Sequence, residues 1–347
     1  MKISILLPYK ENFSPKYAGS ISLFVSQTVK KSKYLNNIKI FGSTEYKKYL
    51  LNNYINIKLN SKFYESTSNK FIKNFILNDE KDPSDLLEVH NRPHYIKLLS
   101  RHYKNKIILY FHNNPLEMKG SKSLKERIYL LENVDKIIFN SKWSQQKFFT
   151  NISNKKYITS VSICYQSSDK PKVNFIQKKK IISFVGRLNK SKGYDLFGKA
   201  IIQILDKHKE WKGVVFGDEP REDLFFDHSR LKIMGFKDNN FILNYLKKVS
   251  ISVVCSRWDE PFGRSSLEAS SRGSAVIISN KGGLPETCKS AIKLKVLSVK
   301  CIFNEIDSLI QNKKNLLKIQ KENYTNFKYT HSYISKLIDS IRGSILK

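Results

Sequence analysis

Two short apolar runs with a helix between them constrain the fold of this chain more than any other stretch. Residues 251–256 and 274–279 are rich in β-branched side chains, which predicts two buried strands. Between them lie a loop with Pro261 and Gly263 and then about two turns of helix. Gly273 stands where helices commonly end in a left-handed residue. The order strand, loop, helix, strand is the unit of a parallel sheet and therefore predicts an α/β fold.

The loop after the first of these strands offers groups that bind an anion. In a parallel sheet, ligands sit outside the carboxyl ends of the strands, and residues 260–264 lie at such an end. A helix begins around Gly263 and Ser265, so its first N–H groups have no partner within the helix and its dipole favours negative charge. Arg264 adds a positive charge. We therefore predict an anion site at this helix N-terminus.

Two carboxylates flank the predicted anion site. Glu268 lies one turn inside the helix, where its oxygens can accept hydrogen bonds from two vicinal hydroxyls such as those of a ribose. Glu260 precedes the helix and can hold another hydroxyl-bearing group. A ligand with phosphates in the middle and polyols at both ends fits this arrangement. A nucleotide sugar is such a ligand.

Each of these features also has an ordinary structural explanation. Ser265 and Glu268 have the spacing of a capping box, in which the glutamate bonds the backbone and contacts no ligand. Gly282 and Gly283 could form an ordinary turn. It is the combination of all these features within residues 260–286 that favours a functional site.

The same window resembles the C-terminal signature of retaining GT-B glycosyltransferases of the family-four type, the glycosyl transferases group 1. That signature has two glutamates with seven residues between them, and Glu260 and Glu268 have this spacing. Residues 261–263 supply its Pro-Phe-Gly, and residues 282–286 are similar to the family's next loop. The resemblance implies an α/β, GT-B fold with two Rossmann-like, doubly wound domains whose parallel sheets face each other across a cleft.

The length of the chain also predicts two domains, because 347 residues exceed what one compact core usually holds. We place a first domain at residues 1–168, a charged linker with a proline at 169–180 and a second domain at 181–328. The resemblance assigns the acceptor to the first domain and the nucleotide sugar to the second. It also implies that a final helix, residues 329–347, crosses back to the first domain.

Two strands predicted in the first domain each end in His-Asn. His90 follows residues 86–89, and His112 follows residues 106–111. Because parallel strands end at the same edge of a sheet, these residues suggest a polar rim there. A histidine at a strand end could have only a structural partner, but the resemblance places one here near the anomeric centre. It implies that His112 orients the donor sugar through a hydrogen bond.

The loop after the first predicted strand departs from the family pattern. The family usually has a pair of glycines in this loop, facing the donor phosphates. This chain has only Gly19, between Ala18 and Ser20. A turn of small residues is retained, so Gly19 stays a candidate for donor binding.

The start of the second domain adds two cations. Residues 181–185 predict a strand, which is followed by Gly186 and Arg187 and, five residues later, by Lys192. At a strand's carboxyl end the two side chains can converge on a diphosphate, arginine as a planar fork and lysine as a point charge. They could also belong to a solvated basic loop, but their spacing is similar to that in the family. Gly217 ends a later strand, at an exit that lies beside the base in the family.

The charge of the chain leaves several partners open. The formal net charge is +32, from 62 Lys and Arg against 30 Asp and Glu. Such an excess can reflect nucleic acid, anionic lipid or an anionic substrate, or only a biased composition. We find no nucleic-acid module and therefore expect no nucleic-acid partner. An anionic membrane surface stays open as a partner.

Cysteine usage and the first residues predict the compartment. The four cysteines are scattered without metal-type spacing, which is typical of reduced core residues. The apolar run before Pro8 is too short for a signal peptide, and no run is long enough to span a membrane. We therefore expect a cytoplasmic protein, at most peripheral on the inner face of the membrane. Because the chain has no Asp-x-Asp triplet, we expect no metal site.

These observations predict a retaining, metal-independent glycosyltransferase that uses a UDP-, GDP- or ADP-sugar as co-substrate and needs no other cofactor. The predicted acceptor is a glycan or a lipid-linked glycan, such as lipopolysaccharide or another cell-surface polysaccharide. A sugar phosphorylase or epimerase on the same fold is the rival among enzymes. The alternative outside enzymes is a basic protein that binds nucleic acid or an anionic membrane. The candidate catalytic residues are His112, Arg187, Lys192 and Glu260, and the candidate donor-binding residues are Gly19, Gly186, Arg187, Lys192, Gly217, Phe262, Gly263, Arg264, Ser265 and Glu268.

Overall fold

The chain divides into two compact units. The computed structural model describes residues 1–59, 66–153 and 155–346. The first unit comprises Met1–Ser167 and His331–Lys347, and the second comprises Ser168–Thr330. Lys347, the last residue of the predicted final helix, lies outside the described residues.

The first unit is built on a seven-stranded sheet in which every pairing is parallel. Its strands are β1 (Ile3–Leu6), β2 (Ile38–Gly42), β3 (Tyr54–Asn56), β4 (Leu86–His90), β5 (Lys106–Phe111), β6 (Lys136–Phe139) and β7 (Val161–Ile163), in the spatial order β3-β2-β1-β4-β5-β6-β7. Its first helices are α1 (Ser20–Val29), α2 (Thr67–Asp79), α3 (Ile96–His102), α4 (Leu124–Asn133) and α5 (Lys142–Phe148).

The second unit repeats this plan with six parallel strands. These are β8 (Lys179–Val185), β9 (Lys212–Phe216), β10 (Leu231–Ile233), β11 (Val249–Val254), β12 (Ala275–Ser279) and β13 (Ile292–Leu294), in the order β10-β9-β8-β11-β12-β13. Its helices are α6 (Tyr194–Lys207), α7 (Asn239–Leu246), α8 (Arg264–Ser271), α9 (Val299–Gln311) and α10 (Lys313–Thr325). The predicted fold class, two Rossmann-like parallel α/β units, is confirmed.

Both sheets have a point at which the strand order reverses. It lies between β1 and β4 in the first sheet and between β8 and β11 in the second. In open parallel sheets the crevice outside the carboxyl ends of the two strands at this point is where ligands bind. The loops after β8 and β11, together with the helix α8, contain most of the residues that the sequence singled out.

The central strands are short and apolar because helices cover both of their faces. All five residues of β12 are buried. All five residues of β4 are also buried, although two of them are Glu88 and His90. Burying a charged or polar side chain in a central strand costs free energy unless it has a partner. Those two residues therefore require a polar network inside the first unit.

The segment predicted as a linker belongs to the second unit. Arg272, at the end of α8, is almost fully buried and donates to Ser168 Oγ at 2.6 Å and to the Asp169 carbonyl at 2.9 Å. The strand β8 begins at Lys179, two residues before the predicted domain start. The side chain of Arg272 is far from these residues in sequence, so the sequence did not reveal the attachment.

The chain returns to the first unit in its final helix, α11 (His331–Ile345). Ile334, Ile338 and Ile341 form the buried apolar face of this helix. Arg342 follows them and is also buried. An arginine at this place again requires partners within the unit.

Two left-handed glycines of the second unit make a matched stability test. At Gly193 a Cβ would lie 1.9 Å from the Cys255 carbonyl oxygen, whereas at Gly235 nothing lies within 4 Å. Gly235→Ala should cost about 1–2 kcal/mol from backbone strain alone. Gly193→Ala should cost about 2–5 kcal/mol, because the overlap adds to that strain. Urea unfolding followed by tryptophan fluorescence measures both; equal losses would contradict the predicted close approach at Gly193.

Candidate functional site

The loop after β8 is shaped by an asparagine. Asn189 Oδ1 accepts hydrogen bonds from the Lys192 N–H at 3.0 Å and from Ser191 Oγ at 2.9 Å. It thereby begins a single 3₁₀ turn, which ends at Gly193 in the left-handed conformation where α6 starts. This turn places Lys192 at the carboxyl edge of the sheet. The asparagine is a helix-capping residue type, a signal that the sequence contained.

The loop after β11 is attached to this turn. The Ser191 carbonyl accepts from the Arg257 N–H at 2.9 Å, the Trp258 N–H at 3.1 Å and Ser256 Oγ at 3.1 Å. Three donors on one carbonyl hold the two loops together across the point where the strand order reverses. The loops therefore keep a common geometry although they are far apart in sequence.

Lys192 and Glu260, both predicted as catalytic, are direct partners. The distance from Lys192 Nζ to Glu260 Oε1 is 2.5 Å, and the two side chains are 19% and 10% exposed. The Lys192 ammonium also lies 5.0 Å from the centroid of the Trp258 ring. Trp258, which the sequence analysis did not select, therefore borders the site.

The helix α8 begins beside the end of β8. Gly263, with φ +115°, is its N-cap residue, and because it has no side chain it cannot cap the first N–H groups of the helix. Ser265 lies inside the first turn, and its hydroxyl donates to the Val185 carbonyl at 2.8 Å. The capping box that Ser265 and Glu268 could have formed is therefore absent. Instead, the start of α8 is held next to Gly186 and Arg187.

Glu268 is held by side chains rather than by the helix backbone. Its Oε1 accepts from Arg264 Nη2 at 2.7 Å and from Asn239 Nδ2 at 3.2 Å. Asn239 is the first residue of α7 and was not predicted as a site residue. Because α7 and α8 are separate segments, only the folded structure reveals this contact.

The Gly-Gly loop after β12 positions Glu260. The Gly283 N–H donates to the Glu260 carbonyl at 2.6 Å. At Gly282, with φ +57°, a Cβ would lie 2.2 Å from that same oxygen. An ordinary turn does not require so close a backbone approach, so these glycines are explained by the site. The sequence indicated the loop correctly but could not show which residue it contacts.

The remaining predicted residues of the second unit differ in accessibility. At Gly217 a Cβ would lie 1.8 Å from the Gly186 carbonyl oxygen, so this glycine allows the exits of β9 and β8 to touch. Phe262 is only 2% exposed, and its ring packs inside the unit. Arg187 is exposed, and its guanidinium has no acidic partner among the residues that the structure describes.

The charges of this site favour an anion. Lys192 is paired with Glu260, and Arg264 is paired with Glu268, so these four charges cancel. Arg187, two residues after the Val185 carbonyl that accepts from Ser265, remains as an uncompensated positive charge. The helix dipole and the N–H groups at the start of α8 add to the attraction. The arrangement can bind a phosphate and present carboxylates to hydroxyl groups.

In the first unit, His112 follows β5 and is buried. Its Nε2 lies 2.9 Å from His90 Nδ1, and its Nδ1 lies 2.9 Å from Gln166 Nε2. Both ring nitrogens therefore have protein partners. A hydrogen bond from the ring to a sugar would require one of these contacts to open. The repeated His-Asn pattern was the sequence signal for this pair, whereas nothing in the sequence pointed to Gln166.

The backbone at His112 is fixed by two asparagines. Asn91 Oδ1 accepts from the His112 N–H at 3.0 Å and from the Asn113 N–H at 3.1 Å. Asn140 Nδ2 donates to the His112 carbonyl at 2.9 Å. These asparagines follow β4 and β6, the neighbours of β5 in the sheet, so three strand ends hold one loop.

Gly19 precedes α1, and its lack of a side chain leaves room for the side chain of Glu11. At Gly19 a Cβ would lie 2.1 Å from Glu11 Oε1. The same carboxylate oxygen accepts from the Ser22 N–H, in the first turn of α1, at 2.9 Å. Burial raises the pKa of Glu11. The position where the resemblance implied donor phosphates therefore holds a carboxylate in this structure.

Comparison with known proteins assigns the second unit to a family. Residues 166–326 match the family model described as Glycosyl transferases group 1. These residues are therefore similar to a group 1 glycosyltransferase domain. The predicted resemblance is thereby confirmed, and the matched residues include the site built from the loops after β8, β11 and β12.

Two curated relatives are similar in sequence to this chain. The putative glycosyltransferase YtcC of Bacillus subtilis strain 168 is 24% identical over 298 residues, which cover 76% of this chain and 73% of the relative. The lipopolysaccharide core biosynthesis mannosyltransferase LpcC of Rhizobium leguminosarum bv. viciae is 31% identical, over 30% of this chain and 33% of the relative. This chain therefore spans only about a third of LpcC.

Solved structures with low sequence identity share the fold. Anabaena HepE, in complex with UDP and glucose, superposes with a TM-score of 0.75 at 15% identity and covers 99% of this chain and 100% of its own. The likeness supports the GT-B fold. No helix in the described ranges combines the length and the apolar run that a bilayer crossing needs.

Asn91 allows a test of the loop at His112, because its left-handed backbone has φ +55°. Asn91→Gly keeps that conformation but leaves the buried His112 N–H without its acceptor, which should cost about 1–3 kcal/mol. Asn91→Ala should cost about 1–2 kcal/mol more from strain. Asn151 is a matched control, since it is exposed with φ +62°, and Asn151→Gly should be nearly neutral. Urea unfolding measures all three; a neutral Asn91→Gly would contradict the role of the amide.

Proposed function

We propose that this protein transfers a sugar from a nucleotide-sugar donor to a glycan or lipid-linked glycan acceptor, with retention of the anomeric configuration. The observation that carries the proposal is the junction of Arg187, the start of α8 and the Lys192–Glu260 pair at one sheet edge. The complex of the structurally similar HepE with UDP and glucose supports a nucleotide-sugar donor. The base of the donor is open among uracil, guanine and adenine.

The donor is proposed to bind in the second unit with its diphosphate at the N-terminus of α8. Arg187 supplies the uncompensated charge for the diphosphate, and Lys192 joins it when the sugar or the phosphate displaces Glu260. Glu268 has one carboxylate oxygen engaged by Arg264 and Asn239, and its other oxygen can accept from the ribose. The released Glu260 carboxylate can then accept hydrogen bonds from hydroxyls of the sugar.

The chemical step develops negative charge on the departing diphosphate. When the bond between the anomeric carbon and the phosphate oxygen breaks, the cations and the helix N-terminus stabilise that charge. The family implies that the acceptor hydroxyl attacks from the same face and gives its proton to the leaving phosphate. The reaction is proposed to need no metal, because Arg187 and Lys192 supply the positive charge that a metal would supply.

The acceptor is proposed to bind in the first unit, at an open groove of about 660 Å³. The groove lies at the carboxyl ends of β1, β2 and β3, and its lining includes Tyr9, Lys10, Glu45, Tyr46 and Lys58. Aromatic rings can stack on sugar faces, and the charged groups can contact hydroxyl or phosphate groups. The similarity to a lipopolysaccharide core mannosyltransferase supports a cell-surface glycan as the acceptor.

The anion-binding role of Arg187 is tested with the nucleoside diphosphates UDP, GDP and ADP. A thermal-shift screen first shows which of them stabilises the protein, and isothermal titration then measures its affinity. Arg187→Ala should weaken binding by about 10–150-fold, the equivalent of a charged hydrogen bond of about 1.5–3 kcal/mol. Lys199→Ala removes one exposed charge from α6 and should change affinity little. A protein that no nucleotide stabilises would refute the proposed function.

The proposed contact between Glu268 and the ribose is tested by replacing Glu268 and, separately, Asn239, which positions its carboxylate. Glu268→Ala should abolish detectable binding of the selected nucleotide. Asn239→Ala should weaken it by about 2–10-fold, because one hydrogen bond that orients the carboxylate is lost. Asn244→Ala, an exposed position on the same helix α7, is the matched control. Unchanged affinity in Glu268→Ala would show that the nucleotide binds elsewhere.

A further inference from the structure

A buried ion pair joins the last helix to the central strand of the first unit. Arg342 on α11 donates to both carboxylate oxygens of Glu88 on β4, from Nε at 2.7 Å and from Nη2 at 2.8 Å. The two side chains are only 4% and 1% exposed. Nη1 of the same arginine also donates to Asp339 Oδ1 at 2.9 Å. Water therefore does not screen the pair.

The arginine keeps Glu88 ionised. Burial by itself raises the pKa of this carboxyl, but the charge and the hydrogen bonds of Arg342 outweigh it and lower the pKa to about 2. At neutral pH the carboxylate can therefore only accept protons in hydrogen bonds. The negative charge of Glu88 acts on His90, two residues along β4, because His90 Nε2 lies 4.0 Å from Glu88 Oε2.

His90 has one choice of tautomer that agrees with this carboxylate. Its Nε2 is buried and has no hydrogen-bond partner within the part of the chain that the structure describes, and the Glu88 carboxylate lies beside it. A proton on Nε2 is attracted to the negative charge, whereas a lone pair there would be repelled. His90 Nδ1 then carries the lone pair. It can only accept from His112 Nε2, 2.9 Å away.

The hydrogen bond between Gln166 and His112, at the other end of this series of contacts, requires the same tautomer of His112. The amide nitrogen Nε2 of Gln166 lies 2.9 Å from His112 Nδ1. An amide nitrogen only donates, so His112 Nδ1 must accept and the proton of the neutral ring must be on Nε2. Every donor between Gln166 and Glu88 then points the same way. The two ends specify the same tautomer of His112 independently of each other.

We propose that Arg342 and Glu88 are positioning residues for His112: through His90, and together with Gln166, they hold the His112 ring in its neutral Nε2–H tautomer and in one orientation. The inference rests on the proposed function for its catalytic meaning, because the family resemblance implies that His112 orients the donor sugar. It also makes that state depend on the docking of α11, because Arg342 is supplied by that helix.

Stability alone is a weak reason for these buried charges. Replacing a buried ion pair by apolar side chains of similar volume is often neutral or stabilising, whereas removing one partner is strongly destabilising. The apolar residues Ile334, Ile338 and Ile341 already bury one face of α11. The polar chain from Arg342 to His112 instead specifies proton positions, which apolar packing cannot do.

The test uses the full chain, with 15N-labelled histidine and long-range 1H–15N spectra, which report the tautomer of each ring. Assignments come from His90→Gln and His112→Gln. In the wild type we expect the Nε2–H tautomer at both His90 and His112. Glu88→Met combined with Arg342→Met removes both charges of the pair, while Asp339 keeps its hydrogen bonds from Ser32 Oγ and the Lys33 N–H. His90 should then become a mixture of tautomers. His112 should follow only when Gln166→Leu is added, because Gln166 otherwise keeps His112 Nδ1 as an acceptor. Arg342→Lys keeps the charge and should keep the wild-type tautomers.

A buried arginine elsewhere in the first unit supplies the control. Arg127 donates to backbone carbonyls, including those of Lys122 and Thr150, and is not part of the chain of contacts. Arg127→Met should lower stability and leave both tautomers unchanged. In a transfer assay with the donor identified by the nucleotide screen, the double variant should lower kcat by more than about threefold and change the donor KM by less than about twofold. A lower kcat in Arg127→Met would indicate a merely structural effect.

The tautomers are measured without substrate, so they separate this inference from the proposed function. A wild-type His112 with its proton on Nδ1 would overturn the inference even if the double variant failed to fold. An unchanged His90 tautomer in a folded double variant would also overturn it. If the tautomers shift as expected but no nucleotide binds the wild type, the positioning network stands and the proposed function fails.

Discussion

Parallel pairing of β8 with β11 is the constraint on which the site of the second unit depends. It brings two loops that are far apart in sequence to one edge of the sheet, at the point where the strand order reverses. The Ser191 carbonyl then joins the loops by accepting three donors. Gly193 and Gly282 allow the backbones to approach more closely than any side chain would permit. The positions of Lys192 and Glu260 follow from these contacts.

Charges in this site are held in place before any ligand arrives. Lys192 with Glu260 and Arg264 with Glu268 form two ion pairs whose members the sequence had assigned to different parts of a nucleotide sugar. A donor would exchange partners with these pairs rather than order free side chains, which reduces the entropic cost of binding. The same preorganisation helps in the transition state, because charged groups that are already fixed need not reorganise as charge develops.

The first unit differs from the second because polar side chains are buried inside its sheet. Glu88 and His90 lie on a strand in which every residue is buried, and each needs a partner there. Arg342 supplies the charge for Glu88, and the neighbouring strand supplies His112 for His90. At the start of α1, Glu11 accepts a hydrogen bond from the Ser22 N–H, a first-turn group that could otherwise donate to an anion. Carboxylates of the protein, Glu88 on β4 and Glu11 at the start of α1, thus occupy both of these places in the first unit.

The sequence by itself determined the fold class and indicated the candidate residues of the site. Apolar runs of strand length, separated by loops and helices, predicted parallel α/β units, because strands covered on both faces are apolar throughout. Glu260 and Glu268, with the Pro-Phe-Gly between them, identified the loop that the family model later matched. Gly273 was correctly placed just after α8, with φ +69°. These signals are local, since each depends on residues close together in the chain.

Only the tertiary structure decided which residues act on the predicted ones. Ser265 and Glu268 have the spacing of a capping box, yet Ser265 bonds Val185 and Glu268 bonds Arg264 and Asn239. The short strands β3 and β7 were not anticipated, because three residues carry no periodic pattern. The partners of His112 include Gln166, and Arg342 acts on it through Glu88 and His90. A hydrogen bond depends on distance in space, and pattern within a short window of sequence carries no information about contacts between segments this far apart.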